Sequence, residues 1–147
     1  MLKVPYVTNY LTEHVGEDAF ATVDGYVAHG GYAAARKAIT EMSPDEVIEL
    51  VKGSGLQGRG GAGFNAGLKW SFMPKQTDLP KFLVCNADES EPGSFKDRLL
   101  LERGSHQMIE GILIAAKATG ARTTFVYIRG EYGHPYRCLQ AAIDEAY

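Results

Sequence analysis

A glycine-rich stretch, GRGGAGFNAGLKW at residues 58–70, carries the clearest chemical signal in this chain. Its first six residues contain four glycines: Gly58, Gly60, Gly61 and Gly63. Each would cost about 0.5–1 kcal/mol inside a packed helix or strand, so the stretch predicts a loop. Backbone N–H groups without Cβ shielding can cradle phosphate oxygens, and Arg59 and Lys69 add positive charge at either end. We interpret the loop as a phosphate or cofactor cradle, with a flexible surface turn as the alternative.

The sequence before these glycines excludes an ordinary dinucleotide fingerprint. Three of them fit the spacing G-x-G-x-x-G, but that fingerprint follows a strand. Here Ser43 is a typical N-cap, Pro44 suits the first helical position, and Glu46 completes a capping box, so a helix is predicted instead. No G-K-[ST] follows the glycines, which excludes a P-loop. The predicted order is helix, glycine loop, helix, and the cradle is of a non-Rossmann type.

A second polar stretch, NADESEPGSFKDR at residues 86–98, follows an apolar run at residues 81–85 that predicts a buried strand. Ligand sites in open α/β sheets lie beyond the carboxyl ends of strands. Asn86 stands at that end and offers both donors and an acceptor. The stretch has three acids within four residues, Asp88, Glu89 and Glu91. They form either part of a binding site or a solvated acidic loop.

Helices and strands are predicted around these two stretches. The earlier part gives short helices over residues 22–28, 32–41, 44–52 and 66–72, after an extended N-terminal segment at residues 1–23. The later part gives a helix over 106–119 capped by Ser105, a strand over 123–128 and a helix over 135–147. Strand, helix, strand and helix make a β-α-β unit with parallel strands. The predicted fold class is α/β with a helical N-terminal layer.

Composition excludes several classes of protein. A length of 147 residues predicts about one domain, and a net charge of −3 argues against nucleic acid as a partner. No apolar run is long enough for direct membrane insertion, and no secretion signal is present, so a cytoplasmic location is expected. Cys85 and Cys138 are expected to be buried and apolar. The four histidines are scattered, so no metal site is expected.

Together these stretches resemble the NADH-binding flavin subunit of respiratory complex I, a module that also occurs in NAD-linked hydrogenases and formate dehydrogenases. The resemblance rests on GRGGAGF before GLKW, NADESEPG before KDR, then IEG and YIRGEY. It implies an incomplete, Rossmann-like FMN-binding domain, with residues 24–147 as its N-terminal part. The later β-rich domain and the iron–sulfur domain with the [4Fe–4S] ligands would be absent, so the fragment alone would be inactive.

The resemblance also implies an activity and its site. In the family, FMN binds non-covalently, NADH passes a hydride to flavin N5, and single electrons then pass through iron–sulfur clusters towards quinone. No side chain is implied as a catalytic group. The implied FMN contacts are Gly58, Arg59, Gly60, Gly61, Lys69, Asn86, Asp88 and Glu89. The implied NADH contacts are Phe64 and Phe72 at the adenine and Glu91 near the nicotinamide.

Partners and alternatives follow from the same resemblance. The implied partners are other peripheral-arm subunits, especially an iron–sulfur subunit, which would hold the protein at the inner side of the membrane. Two alternatives stay open: a diaphorase subunit of a soluble NAD-linked hydrogenase or formate dehydrogenase, and a non-catalytic nucleotide-binding or assembly module. The family often has Pro-Thr where this chain has Asn65-Ala66, which predicts a looser start to the following helix.

Overall fold

A computed structural model describes residues 10–147. Its helical elements are the 3-10 turn Asp18–Ala21 and helices α1 Val23–Ala28, α2 Ala33–Glu41, α3 Pro44–Gly53, α4 Ala66–Ser71, α5 Lys96–Arg103, α6 Ser105–Thr119 and α7 Gly133–Ala146. Its strands are β1 Phe82–Ala87 and β2 Thr123–Ile128. The order confirms the predicted α/β class, and α5 is an additional helix that the sequence did not predict.

The two strands form a parallel pair, as the β-α-β prediction requires. Phe82 lies opposite Thr123 and Ala87 lies opposite Ile128, with no break in register between them. The prediction that both strands are buried is wrong for one face of the sheet. Among the described residues the helices cover only the other face, so four large apolar side chains stand exposed: Phe82, Val84, Phe125 and Tyr127.

Two hydrophobic clusters form the core, and α6 contributes to both. The first cluster joins the sheet to α5, α6 and α7, and its buried residues are Ala87, Leu101, Ile109, Leu139 and Ala142. The second joins α2, α3 and α6, and its buried residues are Ala38, Val47, Ile48 and Ala118. The helix α6 is therefore the common support for the glycine-loop side and the sheet side of the molecule.

A buried polar network fastens the N-terminal helices to α6. The Tyr26 hydroxyl and the Ala35 N–H both donate to the Glu110 carboxylate, the second at 3.0 Å. The Tyr32 hydroxyl lies 2.8 Å from Nδ1 of the fully buried His106. Burial, with the nearby Glu110 charge, raises the pKa of Tyr32 to about 12. The helical N-terminal layer is thus held by paired polar groups as well as by apolar packing.

Helix ends agree with the sequence at some positions and differ at others. The capping box of Ser43 and Glu46 is present, and Gly120 ends α6 with a φ of 72°. Ser105 is not an N-cap. It is the first residue of α6, and its hydroxyl donates to the Leu101 carbonyl because α5 runs almost directly into α6.

The predicted extended N-terminal segment also differs where the structure describes it. Residues 10–16 contain turns, and the 3-10 turn that follows buries Phe20 against Tyr26, with ring centroids 5.3 Å apart. The rest of that prediction, residues 1–9, lies outside the described residues. The domain boundary at residue 23 stays a prediction.

Both cysteines are half-buried, where full burial was predicted. Burial, with a smaller contribution from Asp97, raises the pKa of the Cys85 thiol. No helix between residues 10 and 147 is long and apolar enough to cross a membrane.

Candidate functional site

The glycine loop, residues 58–64, has a closed base. An isolated antiparallel bridge joins its two flanks. Beside that bridge the Gly58 N–H donates to the Phe64 carbonyl at 3.0 Å, and the Ala66 N–H donates to the Leu56 carbonyl at 2.8 Å. The flexible surface turn is therefore the poorer interpretation, because the chain enters and leaves the loop at a fixed point.

The interior of the glycine loop is open. A Cβ placed on Gly60 or Gly61 would meet no atom within 4 Å, and Gly63 has a φ of 70°, which favours glycine. Within the described residues, the backbone N–H groups of residues 59–63 make no hydrogen bond. This row of free donors fits a phosphate group, which accepts several N–H bonds at once.

Asn65 makes a firm start for α4, in place of the looser one that the missing proline predicted. Its Oδ1 accepts from the Leu68 N–H at 2.9 Å, and its Nδ2 donates to the Lys52 carbonyl at 3.2 Å. One side chain therefore caps α4 and ties it to α3. The two helices cross closely beside it, since a Cβ on Gly67 would lie 2.3 Å from the Lys52 nitrogen.

The two aromatic residues predicted at the adenine lie side by side. The rings of Phe64 and Phe72 have centroids 6.0 Å apart and planes inclined by 54°. Phe64 is 49% exposed and Phe72 is 66% exposed, so both rings keep an open face. Lys69 lies between them in sequence on α4 and is exposed, as is Arg59 in the loop. The glycine loop therefore brings together donors, positive charge and aromatic surface.

The acidic loop, residues 88–95, begins with a chain of short polar contacts. The Asp88 N–H donates to Oδ1 of Asn86 at 3.0 Å, and the Ser90 hydroxyl donates to Oδ1 of Asp88 at 2.7 Å. Glu91 is exposed. These contacts orient Asn86 and Asp88 and leave Glu91 free to face a ligand, and they distinguish this segment from a loosely solvated acidic run.

Glu89 differs from its neighbours because it is buried, with an exposed fraction of 4%. Its carboxylate accepts from the N–H groups of Asp97 and Arg98, at 2.9 and 3.0 Å, and from the Tyr132 hydroxyl at 3.0 Å. Burial opposes the charged form, but these three donors outweigh it and lower the pKa of Glu89. The side chain predicted to contact FMN is occupied in capping α5.

Two functional residues had no role in the sequence analysis beyond lying in YIRGEY. Arg129 donates from Nη1 to the Glu89 carbonyl at 2.6 Å, and its guanidinium lies 5.3 Å from the centre of the Tyr132 ring. Both residues follow β2. The signal that could have found them is topological, because the carboxyl ends of neighbouring parallel strands meet at one edge.

The structure does not join the two predicted halves of the site. Between residues 10 and 147, no hydrogen bond, ion pair or aromatic pair links the glycine loop with the acidic loop. Asn86 lines a cavity of about 250 Å³ beside β1, whose other walls come from α5, α6 and Leu11. Each loop is therefore organised separately.

A family comparison decides what these loops belong to. Residues 51–147 match the Nuo51 FMN-binding domain. The chain belongs to this family. The match begins in α3 and includes both loops, both strands and α7. The resemblance to the flavin subunit of complex I is thereby confirmed.

Individual relatives of this Nuo51-family chain are F subunits of NADH-quinone oxidoreductases. The second such F subunit of Rhizobium meliloti is 59% identical over 122 residues, covering 83% of this chain and 29% of the relative. The F subunit of the Escherichia coli enzyme is 51% identical over 125 residues, covering 84% of this chain and 28% of the relative. The chain thus spans less than a third of the length of these relatives.

A solved structure supports the same fold. The chain is similar to the NAD⁺-reducing [NiFe]-hydrogenase in its air-oxidized state, with a TM-score of 0.65 and 45% sequence identity. The similarity covers 69% of this chain and 18% of the hydrogenase chain. The mixed helix and strand arrangement of this Nuo51-family member is therefore shared with a hydrogenase as well as with complex I subunits.

Proposed function

We propose that this chain supplies the phosphate-binding half of an FMN site in an NADH dehydrogenase flavin subunit. The observation that carries the proposal is the row of unbonded N–H groups at residues 59–63, held on a closed base between α3 and α4. The description of the family as FMN-binding supports the choice of ligand. A phosphomonoester fits this row because its oxygens accept from several backbone donors together.

Residues around the cradle have distinct tasks in this proposal. Gly58, Gly60 and Gly61 let the flavin approach the backbone, and Arg59 offsets phosphate charge. Lys69 places positive charge near the flavin ring, which stabilises its reduced anionic form. The chemistry that a bound FMN supplies is acceptance of a hydride from NADH and release of the electrons one at a time.

NADH is held by aromatic and acidic side chains. The open faces of Phe64 and Phe72 offer a platform on which adenine stacks, and their mutual contact keeps the two rings in a set orientation. Glu91 lies near the nicotinamide end. Because the cofactor carries the reaction, the contribution of these residues is to orient the two rings face to face.

The acidic loop completes the flavin contacts through Asn86 and Asp88. Glu89 acts on the flavin indirectly, since its carboxylate holds the loop against α5 and its carbonyl receives Arg129. Its role is that of a positioning residue. This assignment replaces direct flavin contact by the Glu89 side chain.

The complete protein passes electrons from FMN through iron–sulfur clusters towards quinone. Its [4Fe–4S] ligands lie outside this chain, and its partners are peripheral-arm subunits, among them an iron–sulfur subunit. Those partners place it on the cytoplasmic side of a membrane. A diaphorase subunit of a soluble NAD-linked hydrogenase is the second candidate, favoured by the likeness to the hydrogenase structure.

A flavin titration tests the proposal. The chain and a longer form with the rest of the subunit are each mixed with FMN and titrated with NADH, and flavin absorbance is followed. We expect the longer form to bind FMN and bleach, and the chain alone to be inactive. A longer form that binds the nucleotide and never bleaches would contradict the dehydrogenase assignment and favour a non-catalytic binding module.

A further inference from the structure

We propose that His14, Glu17 and His29 form a binding site for a divalent transition-metal ion, with Zn²⁺ as the best-fitting metal. The site lies in the N-terminal part of the chain and is independent of the flavin proposal. One ligand atom from each residue lies within 4.8 Å of the other two. The sequence did not indicate it, because the two histidines are far apart along the chain and the fold alone brings them together.

The Glu17 carboxylate stands between the two imidazoles. Its Oε1 lies 2.9 Å from Nδ1 of His14, and its Oε2 lies 3.0 Å from Nε2 of His29. The two imidazole rings have centroids 4.5 Å apart. In a tetrahedral zinc site with bonds of about 2.0–2.2 Å, ligand atoms lie roughly 3.3 Å from one another. The pairs observed here are close to that spacing.

The hydrogen bonding of His29 calls for a cation at its second nitrogen. Nδ1 lies 2.7 Å from the Gly25 carbonyl, which only accepts, so this nitrogen carries the ring hydrogen. A neutral ring then directs the Nε2 lone pair at the Glu17 carboxylate, another acceptor. A proton or a metal ion on Nε2 relieves this conflict. Donation of the other ring N–H to a backbone carbonyl is the usual arrangement of a metal-bound histidine.

The ligands are held in place by the surrounding fold. Both imidazoles pack against the buried Phe20, with centroid distances of 5.3 Å to His14 and 5.7 Å to His29. The Glu17 N–H donates to the His14 carbonyl at 2.9 Å, which fixes the turn that carries both side chains. Nearby Asp18 is paired with Arg103 at 2.7 Å, so the cation of that arginine is already neutralised.

The ligand set selects among metals. Two imidazoles and one carboxylate suit zinc and its neighbours, whereas Mg²⁺ and Ca²⁺ prefer sites made only of oxygen atoms. The three side chains are partly exposed, so water can complete a fourth position and the rings can rotate to close on the ion. A bound ion would join the turn before Asp18 to the C-terminal end of α1 and stiffen the N-terminal layer.

Equilibrium dialysis with Zn²⁺ tests the site in the full 147-residue chain at neutral pH. One other pair needs removal first, because Cys138 Sγ lies 3.7 Å from Nε2 of His134 and could bind zinc by itself. All measurements therefore use a Cys138→Ala background. We expect one zinc per chain there, and at least about tenfold weaker binding after His14→Ala, His29→Ala or Glu17→Gln.

Controls separate the proposed site from nonspecific binding. His134→Ala in the same background should keep the zinc, and circular dichroism checks that every variant folds. Zinc-edge X-ray absorption should show two histidine ligands in the parent and fewer in His29→Ala. A background chain that retains no zinc, or one whose affinity is unchanged by Glu17→Gln and His29→Ala, would overturn the proposal.

Discussion

The glycine loop of residues 58–64 is fixed at its base and open inside, whereas the acidic loop of residues 88–95 is fixed at its centre by the buried Glu89. The first keeps its backbone donors unbonded. The second uses backbone donors of α5 and a tyrosine hydroxyl to satisfy one carboxylate. The difference indicates that one loop offers its own backbone to the ligand, while the other holds two side chains, Asn86 and Asp88, in position for it.

The largest expected effect comes from Gly67, where α3 and α4 cross. In Gly67→Ala the new Cβ would lie 2.3 Å from the Lys52 nitrogen and 2.8 Å from the Ile48 carbonyl oxygen, so the helices must separate. We expect about 1–3 kcal/mol of lost stability in chemical denaturation, and loss of FMN binding as the loop base opens.

The matched control is Gly60→Ala in the loop interior. There the Cβ meets no atom within 4 Å and φ is not in the left-handed region, so stability should stay unchanged. FMN binding should still weaken, because the methyl group enters the cradle. Equal stability losses in the two variants would break the comparison between a packed base and an open interior.

Glu89→Gln tests the central fixing of the acidic loop. A neutral amide keeps the shape but offers one acceptor in place of two and adds a buried N–H₂ group beside N–H donors. We expect a loss of about 1.5–3 kcal/mol, measured by urea denaturation. The control is the exposed Glu91→Gln, for which stability should not change and only the KM for NADH should rise in the full-length enzyme.

The pKa of Glu89 makes the same contact dependent on pH. Because the folded state lowers this pKa, the carboxylate stabilises the fold above the unfolded value of about 4.3, and that contribution disappears as the pH falls through the lower folded value. Unfolding free energies measured from about pH 6 to about pH 2 should fall less steeply in Glu89→Gln than in the parent. Parallel curves would mean that Glu89 is not the group that titrates.

Sequence predicted what depends on neighbours along the chain. The capping box at Ser43 and the glycine end of α6 are local signals, and both are present. The start of α5 was invisible because Phe95, at its N-cap, makes no side-chain bond, and the cap comes from Glu89 instead. A carboxylate eight residues away, brought there by a turn, leaves no local pattern.

The same limit applies to the candidate site. The glycine pattern and the aromatic pair could be predicted from residue types, since Phe64 and Phe72 lie on either side of one short helix. The roles of Arg129 and Tyr132 depend on the pairing of β1 with β2. Sequence spacing across a β-α-β crossover does not report which side chains meet at the shared edge.

Asn65 gives a smaller effect that sharpens the description of the glycine-loop base. Asn65→Ala removes the cap of α4 and the bond to the Lys52 carbonyl, with an expected loss of about 1 kcal/mol in urea denaturation. Asn65→Asp keeps the capping oxygen and removes only the Nδ2 donor, so it should lose less. If the two variants unfold alike, the link to α3 outweighs the cap.

Lys69 gives the smallest expected change, and it separates charge from structure. The side chain is exposed on α4, so Lys69→Ala should leave the fold and its stability intact. Removing a positive charge near the flavin destabilises the reduced anionic form, and the midpoint potential of FMN bound to the full-length subunit should fall. Lys75→Ala is the matched control, because Lys75 is already paired with Asp45 at 2.8 Å. Since both variants lose one charge, a potential that falls only in Lys69→Ala places that charge at the flavin. An unchanged potential with FMN still bound would mean that the glycine loop binds phosphate without tuning the ring.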